Sequence, residues 1–269
     1  LPKVSPHATP PTTHHPPLTT HSIMHKFATP AQFQRLRRVV LPISTVVAVV
    51  CAVLGLYLGL CDSPADYQQG ESVRIMYIHV PAAWMSSAAY GFMALMSACF
   101  LIWRHPLADV LARETAPIGA VFTLITLITG MLWGKPTWGA YWVWDARLTS
   151  MLILLLLYLG YLGVASAAGH HERTKVAAAW LALIGAINLP IIKFSVEWWN
   201  SLHQGASILR ADGPTIDPSM LHPLLLMIVA FTALFVSLLM VRADTALKEV
   251  KLRRLQIQRV AIKNAAIEP

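Results

Sequence analysis

LHPLLLMIVAFTALFVSLLMV, residues Leu221–Val241, contains no Asp, Glu, Lys or Arg and is long enough to cross a bilayer as one helix. A transmembrane helix needs about 20 predominantly apolar residues. Five further stretches read the same way and are equally free of charge: Val39–Cys61, Pro81–Trp103, Ala116–Trp133, Leu148–Ala168 and Val176–Ile192. Backbone groups in hydrocarbon are satisfied only in helices or closed barrels, and uninterrupted apolar runs exclude the alternating strands of a barrel. The sequence therefore predicts an all-α integral membrane protein with six transmembrane helices. A soluble bundle would need polar faces that these segments lack.

Composition agrees. The chain has 269 residues, of which 56% are hydrophobic and 13% charged, yet its net charge is +8. Soluble domains are about 25% charged. The apolar content excludes disorder for most of the chain, and three cysteines exclude a disulfide scaffold. A basic chain also raises the possibility of nucleic-acid binding. The distribution of charge removes it. Lys3, Lys26, Arg35, Arg37, Arg38, Arg104, Arg113, Arg173, Lys175 and seven more from Arg242 to Lys263 fall on one side of the predicted topology, 16 in all. Only five, Arg74, Lys135, Arg147, Lys193 and Arg210, fall on the other. With six and seven acids respectively, the two sides carry +10 and −2. Lys and Arg accumulate on the cytoplasmic side of short loops, so both termini are expected in the cytoplasm. The positive charge is an orientation signal, and no nucleic-acid partner is expected.

Three regions follow: a disordered basic cytoplasmic tail over 1–38, a six-helix membrane domain over 39–242, and a cytoplasmic amphipathic tail over 243–269. The first 30 residues hold seven prolines and five histidines, with no apolar core of a signal peptide. Met24 is a candidate start. His14 and His15 have the composition of a metal-binding tract but no fixed geometry for one. In Asp244–Lys263, apolar and basic residues alternate at helical spacing, as in a helix lying on a membrane surface.

The outward segments Asp62–Val80, Gly134–Arg147 and Lys193–Met220 carry the chemistry. Trp133, Trp138, Trp142 and Trp144 crowd twelve residues, ending in Asp145 and Arg147, while Trp198 and Trp199 stand together farther on. Interfacial anchoring accounts for one or two tryptophans per helix end. Four interleaved with glycine suit an aromatic platform with a charged rim, fit for a flat amphipathic ligand. His79, at the outer mouth of the second span, and His203, beyond the fifth, flank that stretch. A lone interfacial histidine is ordinarily a satisfied polar residue, but a pair on one face is a candidate ligand set. Two imidazoles suit haem iron, whereas zinc wants three or four ligands and the outward side adds only Cys61. His222, at the start of the sixth span, reads as a cap or packing residue.

Trp133-Gly-Lys-Pro-Thr-Trp-Gly-Ala-Tyr-Trp-Val-Trp-Asp-Ala-Arg-Leu-Thr strongly resembles the WWD motif of the tryptophan-rich haem-handling family, in its haem-exporter branch serving bacterial cytochrome c maturation. The resemblance covers roughly residues 35 to 242. It implies a periplasm-facing haem site with His79 and His203 as axial iron ligands and Trp133, Trp138, Trp142, Trp144, Asp145 and Arg147 around the porphyrin. It implies non-covalent, b-type haem, delivered to a membrane-tethered haem chaperone in the periplasm. The implied partners are an ABC ATPase, a second permease and a small single-helix membrane subunit. The implied location is the bacterial inner membrane. Arg147 is suited to a propionate, Lys135 to weaker neutralisation, and Asp145 to orienting Arg147 or backbone.

No Cys-x-x-Cys-His is present, so the chain is not a c-type cytochrome, and no Walker sequence is present, so ATP hydrolysis belongs to a partner. Cys51, Cys61 and Cys99 read as small apolar residues. A b-type electron-transfer cytochrome needs histidine pairs inside facing helices, and a haem lyase of the same motif family is larger with more periplasmic histidines. A permease moving haem through the bilayer needs a polar path, of which Asn188 is the only conspicuous candidate.

Overall fold

Helix boundaries follow the punctuation of the sequence. In a computed structural model, which describes residues 30–167, 171–199, 201–203, 205, 208 and 212–265, the described residues form seven α-helices. They are α1 (Pro30–Tyr57), α2 (Met76–Trp103), α3 (Pro106–Trp138), α4 (Ala146–Ser166), α5 (Glu172–Gly185), α6 (Asn188–Trp198) and α7 (Pro218–Ala265). Short π and 3-10 turns at Leu58–Asp62 and Glu71–Ile75 join α1 to α2. Among the described residues there is no strand, only an isolated antiparallel bridge between Asp66 and Gly70. Six helical segments are long and apolar enough to cross a membrane, with α5 and α6 together making the fifth. The protein is a multi-pass membrane protein. Exposed Val46, Val53, Leu95, Val121, Leu156, Ile184 and Val229 give its flanks the apolar surface a bilayer requires.

Several boundaries differ from the sequence reading. Residues 30–38, read as part of the tail, belong to α1, where Arg37 reaches buried Asp244 on α7 at 3.3 Å. Residues 1–29 lie outside the described set. The segment between the second and third spans is helical from Pro106 onward, because proline without its N–H suits a first helical turn. Gly134–Trp138, read as loop, is the last turn of α3. Gly139 ends it at φ 79°, a left-handed cap natural to glycine, with its N–H 3.0 Å from the Lys135 carbonyl. The fifth span breaks at Ala186–Ile187. The Asn188 amide donates to the Ser150 carbonyl at 2.9 Å, so the one conspicuous polar residue of the spans locks a helix joint instead of lining a path. The basic tail is not a separate surface helix: α7 is continuous for 48 residues, about 72 Å at 1.5 Å per residue, far beyond a hydrocarbon core about 30 Å thick.

The core lies between α2, α3, α4 and α5. Tyr90 packs edge-on to Tyr158, centroids 4.9 Å apart, and the Tyr158 hydroxyl donates to the Ser86 carbonyl at 2.8 Å. Gly119 makes this approach possible, because a Cβ there would overlap the Tyr158 ring. Gly119→Ala is therefore expected to lower the melting temperature in detergent through an overpacking cost of about 1–3 kcal/mol. Gly163→Ala, where a Cβ meets nothing, should leave it unchanged or raise it. Equal melting temperatures for the two variants would refute this packing account. Helix α1 packs on α7, where Ser44 and Ser237 hydroxyls pair at 2.7 Å and Gln34, Arg37 and Lys248 converge on Asp244.

Candidate functional site

The start of α2, the end of α3, the start of α4, the segment after α6 and the start of α7 meet at one end of the bundle. His79 is the fourth residue of α2, in the first turn of that helix. Its Nδ1 lies 3.0 Å from Thr129 Oγ1 on α3. The Thr129 hydroxyl donates to the Ile125 carbonyl at 2.7 Å, so its oxygen accepts from His79 and the imidazole proton sits on Nδ1. Gly130 lets the ring sit close, since a Cβ there would come 3.1 Å from His79 Cε1. Trp133 stands edge-on to the ring, centroids 5.6 Å apart, and its indole N–H donates to Gln69 at 2.7 Å.

His203 is built differently. Its Nδ1 donates to Asp145 Oδ2 at 2.8 Å, and the Ser201 hydroxyl donates to the same oxygen at 2.6 Å. Asp145 precedes α4 in extended conformation and uses Oδ1 to cap it, accepting the Leu148 N–H at 2.7 Å. One buried carboxylate thus starts a helix and fixes a histidine. Burial alone would raise the Asp145 pKa, but the hydrogen bonds from Ser201, Leu148 and His203 outweigh it and hold the carboxyl below its usual range. Burial pushes the His203 imidazole below its ordinary 6.5, and the Asp145 contact opposes this without cancelling it. His203 is therefore neutral at pH 7, with its proton on Nδ1. Trp138 lies edge-on to it, centroids 4.8 Å apart.

The consequence is shared by both rings. Each Nδ1 is committed, and the side-chain hydrogen bonds described for both rings run through Nδ1; the His79 ring also lies in reach of the Thr126 backbone carbonyl. A neutral imidazole with a free Nε2 lone pair is a metal ligand. The two rings are close enough to interact electrostatically, and Arg147 lies within the same range of both. Arg147 is half-buried in the first turn of α4, where the helix dipole disfavours a cation. It donates from Nε to Ser195 on α6 at 3.4 Å and forms no ion pair with a carboxylate among the described residues.

The tryptophans divide into two roles and do not form one flat platform. Trp133 and Trp138 wall the two imidazoles. Trp142 and Trp144 stand edge-to-face at 5.3 Å, Trp142 packed into the core with its indole N–H buried and unpartnered, Trp144 76% exposed. Trp198 and Trp199 are exposed at the end of α6, Trp198 stacked on Phe194 at 5.2 Å. Asp145 orients backbone as expected, but it holds His203 and not Arg147. Lys135 donates to the Gly139 carbonyl at 3.0 Å and lies over Tyr141 at 5.4 Å. His222 is exposed on the first turns of α7. Arg210 lies outside the described residues. Among those described, no three His, Cys, Asp or Glu side chains gather as a metal cluster. Thr129, Ser195, Ser201 and Gln69 escaped the sequence reading. A hydroxyl or amide far away in the chain carries no local signal that it backs a histidine.

The chain is similar to known proteins over most of its length. The family model described as Heme exporter protein C matches residues 23–258. The chain is 50% identical to "Heme exporter protein C" of Bradyrhizobium diazoefficiens over 234 residues, 87% of this chain and 89% of that one. It is 42% identical to the protein of the same name from Escherichia coli K12 over 240 residues, 89% and 97% of the two chains. A "Putative cytochrome c biosynthesis ccmC-like mitochondrial protein" of Marchantia polymorpha is 51% identical over 178 residues, 66% and 75% of the two.

Proposed function

The chain belongs to the Heme exporter protein C family, and from that premise we propose that it holds haem between His79 and His203 and passes it on for cytochrome c maturation. It is a transport component and not an enzyme. The observation that carries the reading is the pair of neutral imidazoles, each with Nδ1 tied down, at one end of the bundle. Haem is cargo here. Two axial nitrogens fill the iron's coordination and leave no open position for oxygen chemistry. Arg147, unpaired and donor-rich, binds a propionate bidentately, and Trp133 and Trp138 exclude water from the imidazoles. The exposure of Trp144 supports a role in meeting the acceptor.

The charge asymmetry of the flanks supports cytoplasmic termini, a site facing the periplasm, and insertion in the bacterial inner membrane. The cargo is non-covalently bound, b-type haem, since no cysteine pair precedes a histidine for attachment. The acceptor is a periplasmic membrane-tethered haem chaperone. The energy source is an ABC ATPase working with a second permease and a small single-helix subunit, since this chain has no nucleotide-binding sequence.

The purified protein is expected to show the spectrum of six-coordinate haem. Arg147→Ala should retain at least half of that haem while transfer to the chaperone falls about tenfold or more, an effect of the size of one lost charge-assisted contact, and Trp144→Ala should likewise retain haem and slow transfer. A protein that purifies without haem from haem-replete cells, or that carries five-coordinate haem, would end the two-ligand reading.

A further inference from the structure

The two candidate ligands are backed unequally. Behind His203 stands a carboxylate, Asp145, already fixed by Ser201 and by the start of α4. Behind His79 stand neutral acceptors only: the Thr129 hydroxyl, whose hydrogen is spent on the Ile125 carbonyl, and the Thr126 backbone carbonyl within reach of the ring. A carboxylate accepting from Nδ1–H makes the imidazole a stronger donor through Nε2 than a neutral acceptor does, because charge-assisted hydrogen bonds are about twice as strong. The supports differ as well. His79 is carried by a helix gripped between α3 and α7, whereas His203 lies on a non-helical segment beyond α6. When a bound iron shifts outward, a side chain on a connecting segment can follow it, and one on a packed helix cannot.

We propose that Thr129 is a positioning residue that holds His79 in its ligating tautomer, and that its neutrality makes the iron bond to His79 the weaker of the two and the first to open at hand-over. The inference rests on the haem reading above. The step breaks one iron–nitrogen bond, at His79 Nε2, and forms one to a neutral lone-pair donor of the acceptor, which supplies its own electron pair. The electron pair of the broken bond stays on Nε2, the proton stays on Nδ1, and the iron keeps its oxidation state.

Six-coordinate ferrous haem binds carbon monoxide only after one axial ligand leaves, so the rate at saturating carbon monoxide measures that opening. With the full-length protein in detergent, Thr129→Val, of the same shape without the hydroxyl, is expected to raise this rate about tenfold, the usual scale for losing a partner behind a ligand. Thr129→Ser, which keeps the hydroxyl, should stay near the wild-type rate. Gly130→Ala leaves the hydroxyl in place but crowds His79 at 3.1 Å, and it should also accelerate opening; it reads the same contact if Thr129→Val fails to accumulate. Wild-type rates in both Thr129→Val and Gly130→Ala, or equal acceleration in the Val and Ser variants, would overturn the positioning role. A different failure overturns the two-ligand reading and with it this inference: His79→Ala with the wild-type spectrum and rate.

Discussion

Asp145→Asn is expected to leave the fold intact and empty the site. The Asn side chain still presents Oδ1 to the Leu148 N–H, and Asn caps helices as well as Asp, so the start of α4 survives. The other branch changes from acceptor to donor. Facing His203 Nδ1 and Ser201, an amide NH2 cannot accept the imidazole proton, which moves to Nε2 and removes the lone pair that ligates. A wrong tautomer is a large loss from one atom. Haem content should fall at least about tenfold, which corresponds to 1.4 kcal/mol or more in binding. The melting temperature of the haem-free protein should stay close to the wild-type one. The test is haem absorbance per protein beside a thermal melt, and full haem in a well-folded Asp145→Asn protein refutes the tautomer argument. Asp145→Ala serves as contrast, because it loses the cap as well and should be less stable by about 1 kcal/mol, with a lower melting temperature.

The second large effect is expected at the two proposed ligands. His203→Ala and His79→Ala should each remove most bound haem, since one remaining axial nitrogen does not hold iron in six-coordinate form. The residue of haem that stays should be five-coordinate, with its Soret band shifted accordingly. Exogenous imidazole added to His79→Gly should restore a six-coordinate spectrum, because the vacated volume and the free coordination position match the added ring. Normal haem content and an unchanged spectrum in both alanine variants would remove these residues from the ligand set.

The site was legible to different depths. The Trp133–Arg147 run and the two histidines stand out in the sequence because aromatic density and outward histidines depart from what interfacial anchoring asks for. The pairing behind them was not legible. Asp145 and His203 lie 58 residues apart, and Thr129 and His79 50 apart, and no periodicity links such pairs. Of the two partners expected for Asp145, Arg147 or backbone, the backbone one is present, and the Arg147 alternative followed proximity in sequence. On α4, however, a residue at the cap and one in the first turn do not face each other, and the carboxylate turned to the segment arriving from α6. The four tryptophans suggested one platform, but the helical turn Gly134–Trp138 and the left-handed Gly139 split them between the imidazole walls and an outer pair.

By itself the sequence determined that this chain crosses a membrane six times as helices, because uncharged apolar length leaves hydrocarbon no other structure. It also pointed to the end of the bundle where the proposed site lies, since aromatic and histidine residues there exceed what anchoring asks for. Only the tertiary structure decided which nitrogen of each histidine is committed. That depends on whether an acceptor from a distant helix meets Nδ1, and such contacts are set by packing, by glycines such as Gly130 and by the break at Ala186–Ile187. Local composition records none of these.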